Sequence, residues 1–451
     1  NTAFAPSPFQ ADTLYMGGQK VLRTTDGGAR WQAISPVLTY KEAKAKCEGE
    51  PTRKTGAACG YSVIYALAPS RVKAGVLWAG TDDSRLWLTQ DDGAHWDNVT
   101  PPGLGPWSRV DAIEADPHDA TSAYVAVDRH QIDDARPYIY ITHDAGKTWR
   151  LAVQGIPPGN YVRVVRADPE RKGLLYAGTE LGIFVSFDDG HAWQSLQRNL
   201  PTTAVHDLAV HDGDLIAGTS GRGFWILDDI TPLHTVDAAI AQSPVHLYAP
   251  KPALRLRLGT YEGEARPPEV PHAANPPTGA IIDYWLAGAS STPVTLAVYD
   301  SAGKLVRRFS SADQPAAMPT PGWPDYFMSP PTVLPASAGA HRFVWDLRYT
   351  PPAGAPRWGE PAVLGRTPRA PLGPLVLPGQ YRVVLTADGK QYTQALTVLA
   401  DPHAGGAGPA LAANVQLSLD LGAAIDRNSK LLADARTAAA AAIAAGDRAK
   451  A

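Results

Sequence analysis

The octet TTDGGARW at 24–31 returns as TQDDGAHW at 89–96, THDAGKTW at 142–149 and SFDDGHAW at 186–193. All four have the form Ser/Thr-x-Asp-x-Gly-x-x-Trp, and their Asp residues are separated by 65, 53 and 44 residues. Upstream of each lies a short apolar strand, LYMGG, LWAGT, AYVAV or LLYAGT; three such strands follow Pro69, Asp116-Pro117 and Asp168-Pro169. Repetition at this period is the signature of a repeat architecture, one unit per repeat. The residue types suit a hairpin. Asp26, Asp91, Asp144 and Asp188 can accept backbone N–H groups inside the turn. Gly28, Gly93, Gly146 and Gly190 supply the positive φ that other residues resist. Trp31, Trp96, Trp149 and Trp193 lead the next strand and offer large rings to pack between neighbouring units. A fifth unit, VHDLAVHDGDLIAGTSGRGFWILDD, keeps the strands but not the Gly and Trp of the octet. This predicts an all-β propeller with about five four-stranded blades in the chain.

Composition narrows the class. The 451 residues are too many for one ordinary core. Apolar residues at 44% and charged residues at 19% describe a globular chain. A net charge of −3 argues against a nucleic-acid grip, which would need a basic face. No stretch approaches the roughly 18 apolar residues of a membrane span. Cys47 and Cys59 share one polar stretch, where a disulfide would stabilise by about 3 kcal/mol in the chain-entropy model. Such a bond places the protein in the periplasm or outside the cell. Two free thiols are the alternative. The sequence opens on Asn1 and shows no hydrophobic leader, which suggests either a removed signal peptide or a piece of something larger.

The octets resemble the Asp-box (BNR) repeats of sialidases, xyloglucan-type glycoside hydrolases, photosystem assembly factors and the sortilin/VPS10 class. The strongest resemblance is to large bacterial exported proteins of the sortilin-like class, often labelled glycosyl hydrolases. It runs through WSRVDAIEA, AYVAVDRHQIDDARPYIYITHDAGKTW, GTELGIFVSFDDG and GRGFWILDDITPL, then NPPTGAIIDYWL and LPGQYRVVL. Members of that class begin with a long propeller section. The resemblance therefore implies a C-terminal part whose ring is incomplete or completed by something absent.

Four segments follow. Blades occupy 1–232, and a Pro-rich linker 233–275. An immunoglobulin-like β-sandwich spans 276–400, its strands interrupted by Pro-rich insertions at 313–336 and 350–378. A helical segment spans 401–451, with apolar residues at helical spacing at Leu417, Leu421, Ile425, Leu431 and Leu432.

Two groups of residues invite chemistry. In DRHQIDDARPY, Asp128, Arg129, His130, Asp133 and Asp134 crowd five ionisable groups into seven positions. Carboxylates so gathered can bind Ca²⁺, and a His beside an Asp can do acid–base work. The bland reading is a hairpin held by an Arg–Asp pair, and no EF-hand-like spacing supports a metal. The second group lies on the presumed innermost strands, where Arg109, Asp111, Tyr161, Arg163, His206 and Asp207 hold equivalent places near the axis. There the alternative is a polar, water-filled tunnel. A sialidase needs converging arginines and a Tyr–Glu pair, and the Arg-Ile-Pro motif is missing. Other glycosidases need two facing carboxylates, for which Asp111, Glu114, Glu180 and Asp207 are available. No nucleophile elbow, His-Glu-x-x-His, phosphate loop or zinc pair occurs, and no cofactor or metal is expected. The leading expectation is an exported binding or scaffold protein whose propeller face holds a peptide, protein or glycan. A glycoside hydrolase is the alternative.

Overall fold

The computed structural model describes residues 3–39, 62–256, 276–314, 333–355, 371–403 and 408–444. Cys47 and Cys59 fall outside them, as does most of both Pro-rich insertions. The chain divides into two compact units, Asn1–Ile230 and Thr231–Ala451.

The first unit is a run of antiparallel meanders. Blade 1 comprises β1 (Phe4–Pro6), β2 (Leu14–Gly17), β3 (Val21–Thr24) and β4 (Gln32–Ala33). Blade 2 comprises β5 (Ile64–Pro69), β6 (Leu77–Thr81), β7 (Leu86–Thr89) and β8 (Asp97–Asn98). Blade 3 comprises β9 (Arg109–Ala115), β10 (Ala123–Asp128), β11 (Ile139–Thr142) and β12 (Arg150–Leu151). Blade 4 comprises β13 (Val162–Ala167), β14 (Leu175–Thr179), β15 (Ile183–Ser186) and β16 (Gln194–Ser195). The fifth has three strands, β17 (Val205–His211), β18 (Asp214–Thr219) and β19 (Phe224–Leu227). First strands touch in succession, β1 to β5, β5 to β9, β9 to β13 and β13 to β17, as propeller blades require. Apolar cores lie between neighbouring blades. Trp78 and Leu88 pack with Val110 and Tyr140 between blades 2 and 3, and Ile141 packs with Val165 and Trp193 between blades 3 and 4.

Each octet is the hairpin between the third and fourth strands, and its chemistry repeats. The Asp carboxylate accepts the backbone N–H four residues on, at 2.9 Å from Arg30, His95, Thr148 and Ala192 in turn. The leading hydroxyl accepts the Gly N–H at 2.8–3.0 Å in all four. Gly28, Gly93, Gly146 and Gly190 have φ of +103°, +92°, +79° and +76°. The residue before each, Gly27, Asp92, Ala145 or Asp189, is left-handed as well.

The tryptophans stitch blades together. The Trp96, Trp149 and Trp193 indoles donate at 2.8–2.9 Å to the carbonyls of Ile34, Val99 and Ala152. In every case the acceptor directly follows the fourth strand of the preceding blade. Trp31, in the first blade, is 36% exposed and makes no such bond among the described residues.

The second unit is a β-sandwich. It opens with two short helices, α1 (Thr231–Thr235) and α2 (Ala238–Gln242), then β20 (Val245–Leu247) and β21 (Ala253–Arg255). There follow β22 (Ala280–Leu286), β23 (Thr295–Asp300), β24 (Leu305–Ser310), β25 (Gly339–Trp345), β26 (Gly379–Ala387) and β27 (Lys390–Ala400). One sheet is ordered β20-β22-β25, the other β21-β27-β26-β23-β24. Their shared core contains Leu247, Tyr284, Leu296, Trp345, Val383 and Leu396. The expected linker at 233–275 needs correction: β20 pairs antiparallel with β22, and β21 pairs parallel with β27. Strands of three residues are too short to display a period of two.

A long helix, α3 (Pro409–Ala444), ends the described chain. The apolar spacing noted in its sequence does not mark a core-facing side, because Leu417, Leu421, Ile425, Leu431 and Leu432 are all exposed. Its contacts instead run through buried Val415 and through Ser429, which donates to the Gly354 carbonyl at 3.1 Å. Among the described residues no helix is long and apolar enough to cross a membrane.

Candidate functional site

The first strands of blades 2 to 5 all carry a β-bulge near their starts. In blade 2, Ile64 opposes Thr81 and Ala66 opposes Gly80, which leaves Tyr65 as the extra residue. Asp111 is the extra residue between Val110 and Ala112, Arg163 between Val162 and Val164, and His206 between Val205 and Asp207. An extra residue bends the strand and re-aims its side chain, and such bulges concentrate at rims and beside functional sites. Three of the four bulges face a glycine, namely Gly80, Gly178 and Gly218. A Cβ on Gly80 would lie 2.3 Å from Val110 of the next blade, and one on Gly178 would lie 2.9 Å from Val205. The missing side chains therefore let consecutive blades close up at this level.

Around this tier the structure gathers several residues that the sequence singled out. Arg109 donates to Asp128 and, at 3.3 Å, to Asp111. Its Nε lies 3.0 Å from Asp111 Oδ1 but off the donor direction, so that buried N–H has no hydrogen-bond partner. The same guanidinium lies 4.8 Å from the ring centre of Tyr65. Asp128 Oδ1 also accepts the His130 backbone N–H at 2.9 Å and lies 2.6 Å from its Nδ1. The His130 ring stacks on Tyr161 of the next blade, 4.5 Å between centres and 15° between planes. Arg163 donates to the Tyr161 hydroxyl at 2.9 Å and to Glu180 at 2.8 Å. One continuous network thus runs from Tyr65 to Glu180 across three blades. His130 and Glu180 form its open side, with side chains 29% and 33% exposed.

Burial sets the protonation of this network. It pushes the Asp111 carboxyl up, and the nearby Asp128 charge adds to the shift while Arg109 opposes it. The Tyr161 phenol is pushed up to about 12, first by burial and then by its hydrogen bond to Glu180. Burial also works to raise Glu180, but hydrogen bonds from Tyr161 and Arg163 outweigh it and hold this carboxyl below its usual range. A Tyr–Glu pair is therefore present, with its phenol held protonated rather than readied as a nucleophile.

A second ion-paired line crosses the same strands further along. Arg166 lies 3.6 Å from Glu114 of blade 3, donates to Asp207 of blade 5 at 2.7 Å and reaches the Leu208 carbonyl at 2.8 Å. Glu114 is buried, and that burial raises its carboxyl despite the facing Arg166 and Arg71. Asp207 thus belongs with Arg166 rather than with the bulge residues. His206 stands exposed on β17.

The DRHQIDDARPY loop does not assemble as a cation site. Asp128 serves Arg109 and His130, whereas Asp134 accepts from Arg129 at 3.0 Å, Arg136 at 2.8 Å and Tyr138 at 2.8 Å. Asp133 is an exposed left-handed residue that closes the short 3-10 helix His130–Ile132. Arg129 also donates to Ser108. Arg129 and Asp134 thus form an ion pair within the hairpin. Among the described residues no three His, Cys, Asp or Glu side chains converge on a possible metal position.

Sequence reasoning missed Tyr65 and Arg166. For Tyr65 a signal existed. Superposing IYALAP, VDAIEA, VRVVRA and VHDLAV puts a polar or aromatic residue second in every strand, directly after a buried aliphatic. Arg166 offered none, because its partners lie 52 residues before it and 41 after.

No family model matches the chain, and no curated protein matches it. Solved structures with a similar fold include the GH74 xyloglucanase of Xanthomonas campestris, at 15% identity and TM-score 0.37, over 50% of this chain and 36% of that one. YCF48 bound to D1 peptide matches at 17% identity and TM-score 0.32, over 48% of this chain and 62% of its own. PorZ, a surface component of the type-IX secretion system of Porphyromonas gingivalis, matches at 14% identity and TM-score 0.37, over 88% and 51%. This chain spans between about a third and three fifths of the three structures' lengths.

Proposed function

We propose that the protein is an exported binding scaffold of the Asp-box, sortilin-like kind, which holds a peptide, protein or glycan where the first strands of its blades begin. The observation that supports this most is the tier of bulges presenting Tyr65, Asp111, Arg163 and His206 at equivalent positions of consecutive blades. At this level the exposed His206 joins His130 and Glu180, the open side of the adjoining network, so that imidazoles and a carboxylate are available to a ligand. That suits a polar chain with several donors and acceptors.

Catalysis fits less well. Retaining and inverting glycosidases both need one carboxyl free to donate a proton and another free to attack or to activate water. Here Asp111 and Asp128 share Arg109, Glu180 holds Arg163, and Glu114 and Asp207 flank Arg166. One observation favours the hydrolase reading, namely the raised carboxyls of Asp111 and Glu114, since a general acid is tuned in that direction.

The test is to screen the full chain on peptide and glycan arrays beside a panel of polysaccharide hydrolysis assays. Arg163→Met and His206→Ala should weaken the captured ligand by about tenfold or more, in line with losing a charged or central contact. Reducing ends released by the wild type and lost in Asp111→Asn or Asp207→Asn would replace the binding reading with the hydrolase one.

A further inference from the structure

The helix α3 is long, apolar on one side and largely bare. From Lys430 to Ala438 every residue is exposed. At about 100° per residue, Leu417, Leu421, Ile425, Leu431 and Leu432 fall within one stripe roughly 120° wide. Ala424, Ala435 and Ala442 lie on the same stripe and Ala438 just beyond its edge, with Asn428 near its centre. The side that meets the rest of its unit, marked by Val415, Gly422 and Ser429, is a different one. Four exposed leucines and two exposed isoleucines, Ile425 and Ile443, on an otherwise Ala-rich helix have no structural task among the described residues.

We propose that the stripe pairs with the same stripe of a second copy, the two helices antiparallel and related by a two-fold axis crossing between Ser429 and Lys430. The stripe complements itself in that register alone on several counts at once. Heptad layers set Leu417 against the partner's Ala442, Leu421 against the partner's Ala438 and Ala424 against the partner's Ala435. Large thus meets small along the seam, which lets two backbones approach. Asn428 falls beside the partner's Leu431. On one flank Ile425 meets the partner's Leu432. On the other, Arg427 meets the partner's Asp434, and the axis repeats the pair. Arg427 and Asp434 are seven residues apart, so they do not satisfy each other within one helix. A parallel arrangement would set Arg427 beside the partner's uncharged Leu432 and Asp434 beside the partner's Ala439.

Sedimentation of the full chain tests this, with circular dichroism to show that each variant folds. The wild type should sediment as a concentration-dependent dimer. Leu431→Asp alters a side chain that is 68% exposed, so the fold should survive while the dimer dissociation constant rises. Arg427→Asp places like charges together and should raise that constant by about tenfold or more. The double variant Arg427→Asp with Asp434→Arg exchanges the charges and should restore most of the affinity. A wild type that stays monomeric, including one that uses the stripe to bind lipid vesicles or another protein, overturns the proposal. So does a dimer indifferent to Leu431→Asp, or a charge exchange that fails to rescue.

Discussion

The same glycine does different work in the first hairpin and in the third. At Gly28, φ is +103° and an added Cβ would approach nothing closer than the Trp31 ring at 3.9 Å. At Gly146, φ is +79° and the Cβ would lie 2.6 Å from Val99 of the preceding blade. Gly28→Ala should cost about 1–2 kcal/mol for the left-handed torsion alone. Gly146→Ala should add about 1–3 kcal/mol of overpacking. Urea unfolding of both variants measures the gap, and equal losses would mean the hairpin glycine carries no packing role. The tryptophans should divide the same way. Trp193→Phe removes the donor 2.9 Å from the Ala152 carbonyl and should cost about 1–2 kcal/mol. Trp31→Phe should stay within about 0.5 kcal/mol. The hairpin carboxylates add a pH dependence. Asp26, Asp91 and Asp144 are lowered from 3.8 to about 2 by hydrogen bonds from the residue four positions on. A depressed carboxyl stabilises the fold above its unfolded value and loses that effect as pH falls through the folded one. Acid unfolding should therefore begin below about pH 4 and steepen toward pH 2.

Among the elements, the first strands carry the electrostatics, and Arg166 on β13 is their tie. Without it Glu114 stays buried with Arg71 and the Ala167 backbone N–H to favour its charge, and Asp116 nearby to oppose it. Arg166→Ala should destabilise by about 3–5 kcal/mol at neutral pH, the usual result of stripping one partner from a buried pair. Glu114 is raised above 4.5 already in the intact protein. The folded state therefore binds more protons than the unfolded one from pH 4.5 up to that raised value, and stability falls as pH rises across this window. Losing Arg166 widens the window. The deficit should shrink as pH drops toward 4.5, and Glu114→Gln in the same chain should recover part of it at pH 7. A deficit independent of pH would place the role of Arg166 in packing. These strands also mark where the sequence was legible and where it was not. Each hairpin is encoded within eight residues, because hydroxyl, carboxylate, glycine and indole act on their own turn or on the adjacent blade. Asp128 and His130 were readable as neighbours for the same reason, whereas Arg109, 19 residues before Asp128, was read into a separate group. The Glu114–Arg166–Asp207 line was not, because it depends on how three strands separated by whole blades are aligned. The bulges were hidden too, since one extra residue leaves the apolar pattern of a short strand nearly intact.

Each unit has a core of its own: among the described residues the clusters of the first unit contain residues before 230, and that of the second contains residues after 244. The boundary between them was readable only coarsely. Proline content made 233–275 look like a linker, whereas the strands that begin the sandwich, β20 and β21, lie inside it. Their side chains matter to the second core, since Val245, Leu247, Tyr248 and Ala253 are all buried. Exposing Val245 and Leu247 alone forfeits about 1.5–3 kcal/mol each. A domain of this size has only about 5–15 kcal/mol to lose. Removing β20 also uncovers an edge of β22, whose sequence AIIDYWL is apolar and lacks proline, and open edges of that kind pair with other chains. Two truncations decide the matter. Residues 231–451 should express as a folded unit with a cooperative thermal transition. Residues 276–451 should aggregate or melt well below it, although every residue of the originally expected sandwich is present. Equal melting of the two would return β20 and β21 to the status of a strap laid over a finished domain.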